Sequence, residues 1–157
     1  MPSRKCLVIG IGNPDRGDDA VGLIVAQLIK ARRPADVRVI THSGESAGLL
    51  DRLRYAESVY LIDACRAGMP PGAIKRFDIA ASGIPHCACG YSTHGMGLAE
   101  AFELARTLGR LPSRCVLYAI EGRTYDLGDP LSADVAAAAE RVAELICDDL
   151  CENAQCR

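Results

Sequence analysis

No apolar run in this sequence approaches the ~20 residues that a membrane-spanning helix requires. Neither charge sign dominates. A net charge of −2 leaves no electrostatic footprint for nucleic acid or for an anionic membrane. The C-x-x-C pairs of zinc ribbons and thioredoxin-like redox proteins are missing, although the chain holds 8 cysteines. H-E-x-x-H is missing too, which removes the zincin helix. Little precedes the first apolar run at Cys6, so no signal peptide is expected. A cytoplasmic protein with free thiols is the expectation, not a disulfide framework. No repeat or linker interrupts the 157 residues, and 49% hydrophobic with 24% charged suits one domain over 1–157. Its last residues, 152–157, are expected to fray.

What is present centres on Cys6 to Gly22, which reads C-L-V-I-G-I-G-N-P-D-R-G-D-D-A-V-G. Cys6 to Ile11 is an apolar, β-branched run bounded by glycine, the pattern of a buried strand. Val21, Ile24, Val25, Leu28 and Ile29 follow the spacing of one helix face. The turn between them is therefore the mouth of a β-loop-α unit, where ligands collect in open α/β sheets. Phosphate does not suit it. The dinucleotide fingerprint would place a glycine at Asp15, and the P-loop would place Lys and Ser/Thr at Asp18 and Asp19. Pro14 also removes an amide donor. Three carboxylates in one turn repel phosphate and attract a cation.

Further strands are expected at Val37 to Thr41, Ser58 to Asp63, Ile74 to Ile79 (an edge strand) and Cys115 to Glu121. Helices are expected around Leu49 to Ala56, along the face Leu98, Ala101, Phe102, Ala105 and Leu108, and after Ser132 as N-cap, with Val135, Ala139, Val142 and Ile146 inward. Ala80 to Gly95 reads as a loop holding His86, Cys87, Cys89, Tyr91 and His94. Strands alternating with helices imply a three-layer α/β/α domain with a mostly parallel five-stranded twisted sheet. Right-handed crossovers put the second and third strands on opposite sides of the first. The Asp18/Asp19 turn then lies beside Asp63 at the switch-point crevice, although the two are far apart in sequence.

Asp19, Asp63 and His94 make a mixed oxygen and nitrogen set suited to zinc, nickel or another divalent first-row metal, with positions left open for substrate. Each has a plainer role as well. Asp18 reads as the N-cap of the first helix, and Asp19 as a complement to its dipole. Asp63 fits a turn, and His94 a polar loop. Convergence on one crevice favours the functional reading. His86, Cys87 and Cys89 fit no standard zinc spacing. Cys6 and Cys115 read as small buried hydrophobes, and Cys147, Cys151 and Cys156 as incidental thiols. His42 and Glu121 end strands on the same rim, Glu121 as a supporting group.

The chain resembles the hydrogenase maturation endopeptidases. The matching pieces are G-I-G-N-P-D-R-G-D-D-A-V-G at 10–22, V-Y-L-I-D-A at 59–64, S-T-H-G-M-G-L at 92–98, A-I-E-G at 119–122 and L-S-A-D-V at 131–135. The resemblance implies a twisted sheet with helices on both sides, and metal contacts from Asp19, Asp63 and His94. It implies cleavage of a C-terminal extension from the nickel–iron hydrogenase large-subunit precursor once nickel is inserted. Nickel would arrive with that precursor, and zinc or another divalent metal could substitute. Asp19 stands where relatives often carry glutamate, and the C-terminal cysteines have no counterpart in the family pattern. Two other readings stay open: a stand-alone zinc-type metallohydrolase, and a non-catalytic nickel-sensing checkpoint protein for hydrogenase assembly. No apolar surface stripe is evident, so a monomer is expected.

Overall fold

A computed structural model describes residues 6–32, 34–83 and 95–155. Five strands form one sheet in the order β2-β1-β3-β5-β4. They are β1 (Cys6–Ile11), β2 (Val37–His42), β3 (Ser58–Cys65), β4 (Ile74–Asp78) and β5 (Arg114–Glu121). All neighbouring pairs are parallel except β4, which runs antiparallel on the outer edge of β5. The helices are α1 (Val21–Ala31), α2 (Ser46–Leu53), the short α3 (Ile79–Ser82), α4 (Gly95–Thr107) and α5 (Ala133–Gln155). The expected α/β/α architecture is the observed one.

Sequence alternation divides the core. Cys6 and Val8 of β1, Tyr60 and Ile62 of β3 and Val116 and Tyr118 of β5 pack against α1 and α5. Leu7, Ile9 and Ile11 with Val59, Leu61, Cys115 and Leu117 pack against α2, α3 and α4. A strand buried on both faces must be apolar at every position, which is why β1 reads as an unbroken run. Cys6 in β1 and Cys115 in β5 are both buried in the core, as small hydrophobes would be.

Several boundaries differ from the sequence pattern. The carboxylate of Glu45 accepts the amides of Ala47 and Gly48 at 2.7 and 2.9 Å, so α2 starts earlier than Leu49. Asp78 accepts from the Ala81 amide, ending β4 there and opening α3 at Ile79. The last helix continues to Gln155 instead of fraying at Glu152. Asn153 donates to the Asp149 carbonyl and to the Tyr60 hydroxyl, and Asp149 also takes Tyr60 Oη at 2.6 Å and the Arg114 guanidinium. Leu108 is also half exposed instead of buried, because α4 ends at Thr107 and Gly109 turns the chain with φ +64°.

The turn after β1 is set by close backbone approach. A Cβ on Gly22 would lie 2.2 Å from the Ile11 carbonyl oxygen and 2.5 Å from that of Ile62. One on Gly10 would lie 2.1 Å from the Gly22 carbonyl oxygen. Helix α1 therefore rests directly on the ends of β1 and β3. These glycines serve helix-to-sheet contact, not a phosphate cradle.

Candidate active site at the carboxyl rim

Among the described residues, the buried acidic side chains are Asp18, Asp19, Asp63 and Glu121, none more than 5% exposed. All four stand at the carboxyl ends of the parallel strands. A buried carboxylate must be hydrogen-bonded, paired or protonated, so each needs an account.

Asp18 does not cap α1, whose N-cap is Ala20. Its carboxylate accepts the amides of Arg123 (2.7 Å), Thr124 (3.1 Å) and Ser132 (2.7 Å), and the Ser132 hydroxyl at 2.7 Å. Burial alone would raise its pKa. The bonds from Ser132, Arg123 and Thr124 outweigh burial and hold it below the ordinary value. Glu121 likewise anchors a loop. It accepts from the Ala67 and Gly68 amides at 2.8 and 3.1 Å and from the Cys65 thiol at 3.4 Å. That fixes the connection which crosses the end of β5 on its way to β4.

The other two acids sit between these anchors. Asp19 lies in a single 3-10 turn, Gly17–Ala20, and its Oδ2 accepts the Asn13 amide at 3.1 Å. Asp63 lies near the end of β3, with Oδ1 accepting the Ala64 amide at 2.9 Å. The 3-10 turn packs against β3, and Gly22 touches Ile62, the neighbour of Asp63. Two far-separated carboxylates are thus buried at the ends of adjacent parallel strands. Oxygen donors of this kind fit a hard or borderline divalent cation. Among the described residues no three donors gather into one metal group. His94 lies outside the described residues, as do His86, Cys87, Cys89, Tyr91 and Cys156.

His42 ends β2 on this rim beside Ile11. Its Nδ1 accepts the Gly44 amide at 2.9 Å, and a Cβ on Gly48 would lie 2.9 Å from its Nε2. Burial, with Arg52 acting the same way and Glu45 opposing, keeps its pKa below 6.5. The unfolded chain then binds the proton more readily. The His42 contribution to stability is complete above pH 6.5 and is lost as pH falls from there through the lowered folded value. His42→Asn retains an acceptor for Gly44, so its thermal midpoint should drop less than that of the wild type between pH 7 and pH 5. An equal drop in both proteins would refute this assignment.

Burial, the bond to Glu121 and the charges of Glu121 and Asp63 push the Cys65 thiol far up. Burial and the charge of Asp78 push Cys115 up to about 12. Neither is a nucleophile at neutral pH. Cys151 is exposed on α5. Brief alkylation of the native protein should label Cys151 at least about tenfold faster than Cys65 or Cys115 by peptide mass mapping. Early labelling of Cys65 would contradict its placement.

Residues 23–149 match the family profile described as HycI, hydrogenase maturation protease. The chain belongs to the hydrogenase maturation protease family. The hydrogenase expression/formation protein HupD of Rhodobacter capsulatus is 30% identical over 159 residues, 92% of this chain and 74% of the relative. HupD of Thiocapsa roseopersicina is 29% identical over 121 residues, 74% of this chain. That match spans about half (54%) of the Thiocapsa protein's own length. Among solved structures, the hydrogenase maturating endopeptidase HybD from E. coli superposes with a TM-score of 0.80 at 22% identity. It covers 95% of this chain and 93% of its own, a likeness of fold. No helix among the described residues of this maturation protease family member is long and apolar enough to cross a membrane.

Proposed function

We propose that this protein is an endopeptidase that removes the C-terminal extension of a nickel–iron hydrogenase large-subunit precursor after nickel insertion. The observation that carries the reading is the pair of buried carboxylates, Asp19 and Asp63, one in the turn after β1 and one near the end of the neighbouring strand β3, in a maturation-protease fold. Nickel belongs to the substrate, held by the precursor's own ligands. Asp19 and Asp63, with His94 as the proposed third contact, receive that nickel-bearing segment and register the scissile bond against the rim. The bound divalent ion supplies Lewis acidity toward the scissile carbonyl or the attacking water. A carboxylate of the pair not engaged in that contact accepts the proton of the attacking water and returns it to the leaving amine.

The test is incubation with nickel-loaded precursor and with nickel-free precursor, reading the partner's mass. Mass loss in the nickel-loaded sample alone supports the proposal. Complex formation with no mass loss selects the checkpoint reading. Cleavage of small amides with stoichiometric resident zinc selects the stand-alone metallohydrolase.

A further inference from the structure

The four buried acids are not equivalent. Asp18 is fully buried and is covered by one loop, residues 122–132, reached more than a hundred positions later in the chain. Four donors from that loop converge on its two oxygens. The Asp18 amide returns a bond to the Thr124 carbonyl at 2.9 Å, and the Gly128 amide bonds the Asp15 carbonyl at 2.8 Å. Gly17, at φ +52°, lets the turn pass the same loop, where a Cβ would sit 2.7 Å from the Thr124 oxygen. The turn that carries Asp19 is thus bonded along one side by Asp18 and along the other by the Asn13 amide. The Ser132 amide and hydroxyl are both spent on Asp18, so the start of α5 is fastened at the same point.

We propose that Asp18 is a positioning residue: by bonding loop 122–132 to the 3-10 turn, it fixes where the Asp19 carboxylate stands relative to Asp63. The proposal deepens the endopeptidase reading and rests on it for its consequence in turnover. Its structural half stands without it. An aspartate in the first turn of a helix reads locally as a cap. Here the helix end is left to Ala20, and the carboxylate is directed to a distant loop.

The test uses Asp18→Asn, which keeps the side-chain size and loses acceptors, and Ser132→Ala, which removes one donor of four. Asp149→Asn is the control: it disrupts the Tyr60/Arg114 cluster at the opposite end of the sheet. The first readout is amide hydrogen exchange of Asn13, measured well below the thermal midpoint with no substrate. Exchange should accelerate at least about tenfold in Asp18→Asn and about two- to threefold in Ser132→Ala, and stay unchanged in Asp149→Asn. The second readout is steady-state cleavage of nickel-loaded precursor. There kcat should fall at least about tenfold in Asp18→Asn with KM within about twofold, and Asp149→Asn should retain wild-type kcat. Unchanged Asn13 exchange in Asp18→Asn overturns the proposal, and so does an equal fall of kcat in the Asp149→Asn control. If Asp18→Asn does not fold, Ser132→Ala takes its place, and Asn13 exchange no faster there than in Asp149→Asn overturns the proposal. A wild type that leaves the precursor uncut overturns the endopeptidase reading, while the exchange comparison still decides what Asp18 does.

Discussion

Asp63→Asn and Asp19→Asn are each expected to slow cleavage of nickel-loaded precursor by about 10²–10⁴-fold, the range over which a positioned acid–base group acts. The amide keeps the shape and one acceptor, so the Asn13 and Ala64 amides remain satisfied in the two variants. Each substitution keeps the side chain's size and shape, so neither variant should melt more than a few degrees below wild type. The loss should appear mainly in kcat if the carboxylate acts on the attacking water. It should appear mainly in KM if it only receives the nickel-bearing segment. Mass spectrometry of the precursor over time reads the rate, and His94→Ala belongs in the same series. Full-speed cleavage by both aspartate variants would remove them from the chemistry.

Gly22→Ala should be strongly destabilising for a single added methyl. Its added carbon meets two main-chain carbonyl oxygens, from Ile11 and Ile62, at 2.2 and 2.5 Å. Main chain in the middle of a parallel sheet cannot step aside as a flexible side chain can, so α1 must lift from the sheet. The change should cost about 4 kcal/mol, beyond ordinary overpacking. For a chain of this size that lowers the thermal midpoint by roughly 8–16 °C. In urea the midpoint should fall with little change in slope. Gly68→Ala is the contrast: nothing lies within 4 Å of its added carbon, so only its φ of +76° resists, and the loss should be far smaller. A Gly22→Ala protein as stable as Gly68→Ala would mean that helix and sheet are further apart than described.

The acidic crevice and the helix-to-sheet contact differ in how far the sequence reveals them. Periodicity located β1, β2, β3 and β5 within a residue or two, because a strand buried on both faces leaves little freedom in residue type. Chain handedness then placed Asp19 and Asp63 on adjacent strand ends, as observed. Asp18 reads locally as a cap for a physical reason. Capping preference is a statement about neighbours in sequence, whereas the donors to Asp18 come from Arg123, Thr124 and Ser132. Glu45 gives no signal as the cap of α2 because glutamate is not among the preferred capping residues. Leu108 fits the helix face, but its helix stops one residue short of it. The Glu121 carboxylate stands at a legible strand end, yet its partners, the amides of Ala67 and Gly68, carry no side-chain signature.

Helix α5 spans 23 residues, roughly 34 Å at 1.5 Å per residue. It leaves the carboxyl rim at Ser132 and finishes against Tyr60 and Arg114, near the starts of their strands. Cys6 begins β1 at that same end. Cys6 and the last turn of α5 therefore both lie on the side away from the acidic crevice. The protein can be tethered there while a bulky client approaches the opposite pole.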